Sequence, residues 1–517
     1  MTLPLDLLLV IALIGGILIG YPVSFTLAGV ATVFAFIGWL TGSFDLSLLG
    51  ALAQRVFGLL TNDVLIAIPL FVVMGVVLEK SRIAEDLLET MGRLFGRMRG
   101  GLGISVVVVG ALLAASTGIV GATVVAMGLI ALPTMLRNHY QPALACGIVC
   151  TSGTLGQIIP PSTLLIILAD VMSNAYQQAQ FTRGQFTIDT ISVGQMFAAA
   201  LLPGLLLVLV YIIYLLIRAW WSPHLAPAMS GEDFLPVTPM EVIRTVIPPI
   251  FLIVAVLGSI LGGIATPSEA AAVGAVGAIL LAGARLGKAA PLMLVGTAAF
   301  VSLAVLAGLA PIRLQRIDAG AGDWVVGGLC LLLILLGFTA LFKALQLTSA
   351  KKLLTPILSS TMVVTSMIFA TILTASIFSL VFIGLGGEER IEWIITTMPG
   401  GAQGALIFCM VLIFILGFFL DFVEISVILL PLIVPTLILM GHDPIWLAVL
   451  IAINLQTSFL TPPFGFSLFY LRGAAPPEVS TGQIYRGVVP FIALQAVGAA
   501  IIWYFPKIAT FLPKLMF

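Results

Sequence analysis

Asp421 and Glu424 stand three residues apart in GFFLDFVEISVILLP. On a helix that spacing puts both carboxylates on one face. A carboxylate inside an apolar run is costly to bury and marks a functional site by default. With hydroxyls and backbone carbonyls beside it, an Asp suits Na⁺. A carboxylate alone could instead carry a proton, and one at a helix end could simply reach water. Hydroxyl and amide residues cluster in four other stretches. AASTGIVGATVVAMG (114–128) holds Ser116, Thr117, Gly118, Gly121 and Thr123. Residues 151–157 supply Thr151, Ser152, Gly153, Thr154, Gly156 and Gln157. TILTASIFS (371–379) and the run Asn454, Gln456, Thr457, Ser458, Thr461 complete the set. Small residues at helical spacing also serve plain helix packing, so their place in the chain has to decide.

Glu269 in ATPSEAAAVG has a different reading. Thr266 as N-cap, Pro267 at the first helical position and Glu269 at the third describe a helix start, a structural role. Cys146 and Cys150 share a helix face as small apolar residues, and three histidines leave little for a zinc or haem site. No nucleophile–base pair, GxxxxGK[ST] loop or HExxH pair occurs, so neither hydrolytic catalysis nor ATP binding through a phosphate loop is expected.

Double prolines interrupt two apolar runs, in QIIPPST (157–163) and FLTPPFG (459–465). Proline removes a backbone donor and clashes with the preceding turn. Pro133, Pro142, Pro160 and Pro161 recur as Pro435, Pro444, Pro462 and Pro463, each 302 residues on (435−133, 444−142, 462−160, 463−161). Thr134 and Thr436 keep the same register. Four matches over about 30 residues describe an internal duplication, roughly 117–172 against 419–474. Repeats with interrupted helices near the midplane characterise secondary transporters. The freed N–H and C=O groups survive in a bilayer only where protein or a cavity surrounds them. There they can hold a small cation or face an anion.

The elements that must position these residues are membrane spans. Of 517 residues, 61% are hydrophobic and 9% charged, against ~25% charged in soluble domains. Mean hydropathy is +1.22. Apolar runs long enough to cross a bilayer, roughly 20 residues each, recur throughout. The pattern predicts an all-α polytopic membrane protein, without the alternating strands of a barrel. Net charge is zero, which argues against nucleic acid as a partner. Spans are expected near 5–20, 22–41, 64–79, 103–117, 121–136, 194–220, 245–265, 267–284, 290–310, 324–343, 360–384, 403–420, 423–440 and 486–505. The double-proline stretches 143–172 and 445–471 read as helical hairpins or half-helices. Lys80–Arg99 reads as one amphipathic helix at the membrane surface, with Ile83, Leu87, Leu88, Met91, Leu94 and Phe95 on its apolar side. Residues 174–192 and 222–243 read as polar loops outside the membrane.

Seven stretches carry a family resemblance: GYPVSFTLAG (20–29), IPLFVVMGVVLEKSRIAEDL (68–87), STGIVGATVVAMG, GQIIPPS, IATPSEAAAVGAV, LDFVEISVILLPLIVPTL and FLTPPFGFSLFYLRG. In this order the chain resembles the large membrane subunit of tripartite ATP-independent periplasmic (TRAP) transporters. The resemblance implies an elevator-type ion transporter with internal repeats and two helical hairpins. It implies three partners: a small four-helix membrane subunit, a periplasmic substrate-binding protein, and an organic acid as cargo. Na⁺ is the implied coupling ion, with no other cofactor, and the bacterial inner membrane the implied location. Carried over from the family pattern, Ser116, Thr117 and Gly118 face Gly153, Thr154 and Pro160 at one ion site. Thr374, Ala375 and Ser376, as a second unwound segment, face Thr461, Pro462 and Gly465 at the other, with Asp421 as the intramembrane acid. Ser152, Gln157, Ser162, Asn454 and Thr457 are candidates for the substrate.

This reading divides the chain into scaffold helices with an arm helix (1–100), a first transport half (101–175) and polar loops with scaffold helices (176–284). An extra two-span insertion (285–345), a second transport half (346–474) and a C-terminal membrane helix (475–517) follow. The chain is long for this subunit, and the small subunit is expected as a separate chain. A standalone ion-coupled carboxylate transporter, driven by Na⁺ or H⁺, is the alternative.

Overall fold

Nearly every apolar run becomes a helix, and the described residues contain no strand. The computed structural model describes all residues except 1–3, 119, 186–187, 230–236, 288 and 310–320, and leaves out the side chains of 114–117, 307–309 and 321. Nine described helices are long and apolar enough to cross a bilayer. Local signals set many of their starts. Thr266 and Glu269 form the reciprocal cap that opens α12 (Pro267–Leu286). Ser192 with Gln195 and Ser480 with Gln483 do the same for α10 (Val193–Trp221) and α22 (Thr481–Tyr504). Each cap satisfies backbone donors that a helix start leaves free.

The repeat is visible in element bounds. Helix α7 (Val120–Arg137), shifted by 302, covers 422–439. That is the extent of α18 (Phe422–Glu424), the π-helical turn Ile425–Leu429 and α19 (Leu430–Leu439) taken together. Helices α8 (Pro142–Thr154) and α20 (Pro444–Leu460) start in the same register. So, within two residues, do α6 (Gly101–Thr117) and α17 (Gly401–Leu416).

Contacts at the helix ends show how each half crosses. Gly100 N donates to Ala226 O, and Gln141 N to Leu225 O. The α6–α7 pair therefore leaves one face and returns to it. Helix α9 (Thr163–Thr182) ends elsewhere, where Arg183 donates to the carbonyls of Ile438 (2.7 Å) and Leu439 (3.0 Å). Helix α22 measures the separation. Its Gly487 touches Ala143 and Gly147 at the start of α8, and its Ile502 O accepts from the Trp446 indole at the start of α20. Ile502 stands fifteen residues after Gly487 on this helix, about 22 Å away at 1.5 Å per residue.

The expected hairpins at 143–172 and 445–471 are thus corrected. The helices α8 and α9, and likewise α20 and α21 (Phe466–Ala474), are broken crossings that run on from face to face. The hairpins are α6–α7 and α17–α19. A double proline removes donors without reversing the chain. Reversal instead uses Gly118, at φ +60°, in the first half and the turn Gly417–Asp421 in the second. The first hairpin opens on the face holding Gly100 and Gln141. The second opens on the other, where His442 Nε2 lies 3.0 Å from Ala402 O. The two halves are inverted relative to one another.

A second group of helices packs beside this body, with α4 against α6 and α9. Helix α2 (Val23–Leu40) lies along α15 (Leu354–Gly384), and α12 along α4 (Asp63–Lys80). The helices α4 and α15 also meet each other. Helix α3 (Ala51–Leu60) joins α4 through a 53° bend.

Several boundaries differ from expectation. Lys80–Arg99 is not one helix: α4 ends at Lys80, Arg82 takes φ +60°, and α5 spans Ile83–Phe95. Ile83, Leu87, Leu88 and Met91 are buried, but Leu94 is 46% exposed. This helix is wedged against α6 and α11 (Pro239–Leu261), and held by Arg93–Glu241 and Asp86–Arg285 ion pairs. Half of the expected loop 174–192 is helix, because α9 runs to Thr182. Helix α11 starts six residues before the expected span, since Thr238 caps it and Pro239 is its first residue. In 285–345, α13 (Ala290–Leu309) and α14 (Ala321–Ala350) pack on each other and on α12. Gly296 meets Ala340 there, and Gly283 meets Ala344. Helices α3, α16 (Gly387–Thr396) and α23 (Lys507–Met516) were not anticipated as spans or arms, being short or charged.

Candidate functional site

Each hairpin turn sits against the break of its own half's crossing. In the first half, a Cβ on Gly118 would lie 2.9 Å from Thr163 N, the opening residue of α9. One on Gly153 would lie 2.3 Å from the Val124 side chain. The Ser116 and Thr117 side chains lie outside the described residues, although both belong to α6. Thr154 and Pro160 flank the break and are buried. The Pro160–Pro161 and Pro462–Pro463 bonds are both cis. In the second half, a Cβ on Gly417 would meet the Ser458 hydroxyl at 2.1 Å. The Phe419 and Phe464 rings are 5.3 Å apart. Thr461, Pro462 and Gly465 form the break itself, and Thr461 Oγ1 donates to Thr457 O at 2.7 Å.

Asp421 and Glu424 occupy the start of α18. Phe422 N donates to Asp421 Oδ1 and Asp421 N to Glu424 Oε2, both at 2.8 Å. Their three-residue spacing therefore builds a reciprocal cap, as at Thr266 and Glu269. A cap does not exhaust a carboxylate, which offers about four lone-pair sites. Among the described residues neither carboxylate joins an ion pair. Glu424 is 8% exposed, and Ser426 in the adjoining π-turn is fully buried with no hydrogen-bond partner for its hydroxyl among the described residues. π-Turns are frequent at functional sites.

Thr374, Ala375 and Ser376 are not unwound. They lie inside continuous α15, where Thr374 donates back to Ala370 O (2.8 Å) and Ser376 to Ile372 O (3.0 Å). The register explains this: 116–118 plus 302 is 418–420, the second hairpin turn. Helix α15 nevertheless packs against α18 and the π-turn, so it borders the site.

The other candidates divide. Gln157 is fully buried, and among the described residues neither of its amide atoms has a partner. Ser162 donates to Gln157 O at 2.9 Å. Ser152 donates to Ile148 O and packs against Gly110, away from the break. Asn454 donates to Met410 O on α17, and Thr457 to Ile453 O.

The halves also exchange contacts. Helix α21 lies on α7, with the Tyr470 ring against Gly121, and α9 lies on α19. Three residues escaped the sequence reading. Asp170 on α9 accepts from Asn62 Nδ2 at the α3–α4 bend (2.9 Å) and lines a crevice of about 420 Å³ with Ser173, Asn174 and Gln177. Arg55 on α3 donates to Ser376 O at 3.3 Å. An Asp inside LLIILADVMSNAY was the available signal.

Residues 10–508 match the family model described as "Tripartite ATP-independent periplasmic transporter, DctM component". The chain belongs to this family. Like other TRAP large permeases it is a transporter component and not an enzyme, and it resides in the inner membrane. It is 28% identical to the C4-dicarboxylate TRAP transporter large permease protein DctM of Vibrio cholerae, over 98% of this chain and 97% of that one. The two are thus of nearly equal length, and the chain is not long beside this relative. It is 25% identical to the ectoine TRAP transporter large permease TeaC of Halomonas elongata, over 99% of both. The sialic acid permease SiaM of Vibrio cholerae is 23% identical, over 97% of both. In fold, the chain is similar to the Alcanivorax borkumensis YdaH transporter, with a TM-score of 0.52, 15% identity and 90% and 89% of the chains covered.

Proposed function

We propose that this TRAP large permease takes up an organic acid, driven by Na⁺, as the membrane core of a three-part system. A periplasmic binding protein delivers the acid, and a small four-helix membrane subunit completes the assembly. The observation that carries the reading is the pair of broken crossings, inverted and each closed by a hairpin turn, with Asp421 and Glu424 at one of them in no ion pair among the described residues. Freed carbonyls at the breaks suit small cations, and helix starts suit an anion. Bound Na⁺ offsets the charge of a carboxylate, which would otherwise be expensive to carry through a bilayer. Coupling follows, because the loaded body crosses and the body holding the anion alone does not. The inverted halves suit an elevator motion of this body against the α2–α4–α12–α15 group.

Charge supports an orientation. Among the described residues, Lys80, Arg93, Arg99, Arg137, Arg218 and Arg285 gather at the face where the first hairpin opens, while Arg183, Arg390, Lys507 and Lys514 lie toward the other. The positive-inside rule puts the first face in the cytoplasm. Substrate then arrives at the face of α16 and the 420 Å³ crevice.

The relatives named above carry a C4-dicarboxylate, ectoine and sialic acid, and a small carboxylate is the class we assign here. The test is uptake into proteoliposomes holding both membrane subunits, with the binding protein outside and a panel of C4-dicarboxylates, 2-oxo acids and ectoine. Accumulation driven by an inward Na⁺ gradient is expected. Accumulation driven only by a proton gradient would reassign Asp421 to proton transfer.

A further inference from the structure

Gln456 Nε2 donates to Thr154 Oγ1 at 3.4 Å, across the two crossings. These residues are 302 apart, the offset of the repeat, so they are the same position in each half. The bond therefore marks where the two halves meet their own counterparts. Both residues are fully buried. Thr154 ends α8 immediately before the first break, and Gln456 lies one turn before the end of α20 and the second. Thr151 sits on the same face of α8 as Thr154 and is buried, with no partner for its hydroxyl among the described residues. Gln456 Oε1 is also without a donor. Their sequence neighbours Leu155 and Leu455 are buried and apolar. Two apolar side chains would pack there without leaving polar atoms unmatched.

We propose that Thr154 and Gln456 are positioning residues that tie the two broken crossings together, so that Na⁺ binding at one break favours binding at the other. The inference rests on the reading of the breaks as Na⁺ sites. The mechanism is local. An ion that orders one break fixes the last turn of its crossing, and the hydrogen bond fixes the equivalent turn of the other. The second ion then orders a segment that is already held, which is cooperative binding through shared order. Gln456 lies outside the residues carried over to either ion site and reaches the first break only through Thr154, so Gln456→Leu reads the tie and not the loss of a ligand.

The test is the Na⁺ dependence of uptake in the reconstituted three-part system, for wild type, Thr154→Val, Gln456→Leu and the double variant. Wild type is expected to respond with a Hill coefficient near two, and each single variant near one. The double variant should match the singles, because removing either partner already removes the bond. A purely structural role would lower the uptake rate and leave the Hill coefficient unchanged, and that outcome overturns the proposal. So does a further fall in the double variant, which would mean that the two residues act separately. A wild type that takes up substrate with no Na⁺ dependence would instead sink the Na⁺ reading, and this inference with it. Thermal unfolding of each variant in choline chloride identifies any that fail to fold.

Discussion

Asp421 does two jobs in this account, and they can be separated at one atom. As an N-cap it accepts from Phe422 N, a role Asn fills as well as Asp. As an ion ligand it needs its charge. Asp421→Ala should therefore cost about 1 kcal/mol of stability even without Na⁺. Asp421→Asn should cost less than about 0.5 kcal/mol under the same conditions, in thermal unfolding of the detergent-purified protein in choline chloride. Equal losses would show that the charge itself holds the fold. Gly147 tests packing at the same scale. A Cβ there would stand 2.1 Å from Gly487 O, a backbone atom that cannot rotate away. Gly147→Ala should destabilise by about 1–3 kcal/mol or more. A neutral effect would contradict the close approach of α8 and α22.

At the scale of elements, the account stands on which segments turn back. Single cysteines at His139→Cys, after the first hairpin, and Gln185→Cys, after α9, should react with an impermeant thiol reagent from opposite sides of the membrane. Both positions are exposed, and the four native cysteines are buried. Labelling from one side would restore 143–172 as a hairpin. The sequence made the breaks plain, because proline cannot hide in a helix, and the 302-residue register made the duplication plain. It did not tell a break from a reversal. Both are short polar interruptions of apolar runs, and the distinction lies in contacts such as Gly100 with Ala226 and Arg183 with Ile438. The second hairpin turn was harder still. Its residues Phe418, Phe419 and Leu420 replace the Ser116, Thr117 and Gly118 of the first, and the family resemblance, carried over to the polar stretch in α15, points to Thr374–Ser376 instead. Asp421 and Glu424 were legible as functional carboxylates, but their cap was read only at Glu269, where a proline announces the helix start.

For the whole molecule, the proposed elevator motion puts the α3–α4 bend and α9 in different bodies, and Asn62 and Asp170 join them. An elevator motion must break that bond. Cysteines at 62 and 170, joined by a short cleavable thiol crosslinker, should abolish uptake, and cleavage should restore it. Full uptake by the crosslinked protein would mean that the two bodies do not move apart. The motion matters only if Na⁺ occupies the breaks, so that is the point to test first. A ligand that binds only the folded state stabilises it by about 2.7 kcal/mol at a hundredfold excess over Kd. Thermal unfolding of wild type and Asp421→Asn would be measured against rising NaCl, at ionic strength matched with choline chloride. The account predicts a saturable rise in Tm for wild type and a weaker one for the variant. A wild-type Tm that does not respond to Na⁺, or equal responses from both proteins, would contradict it.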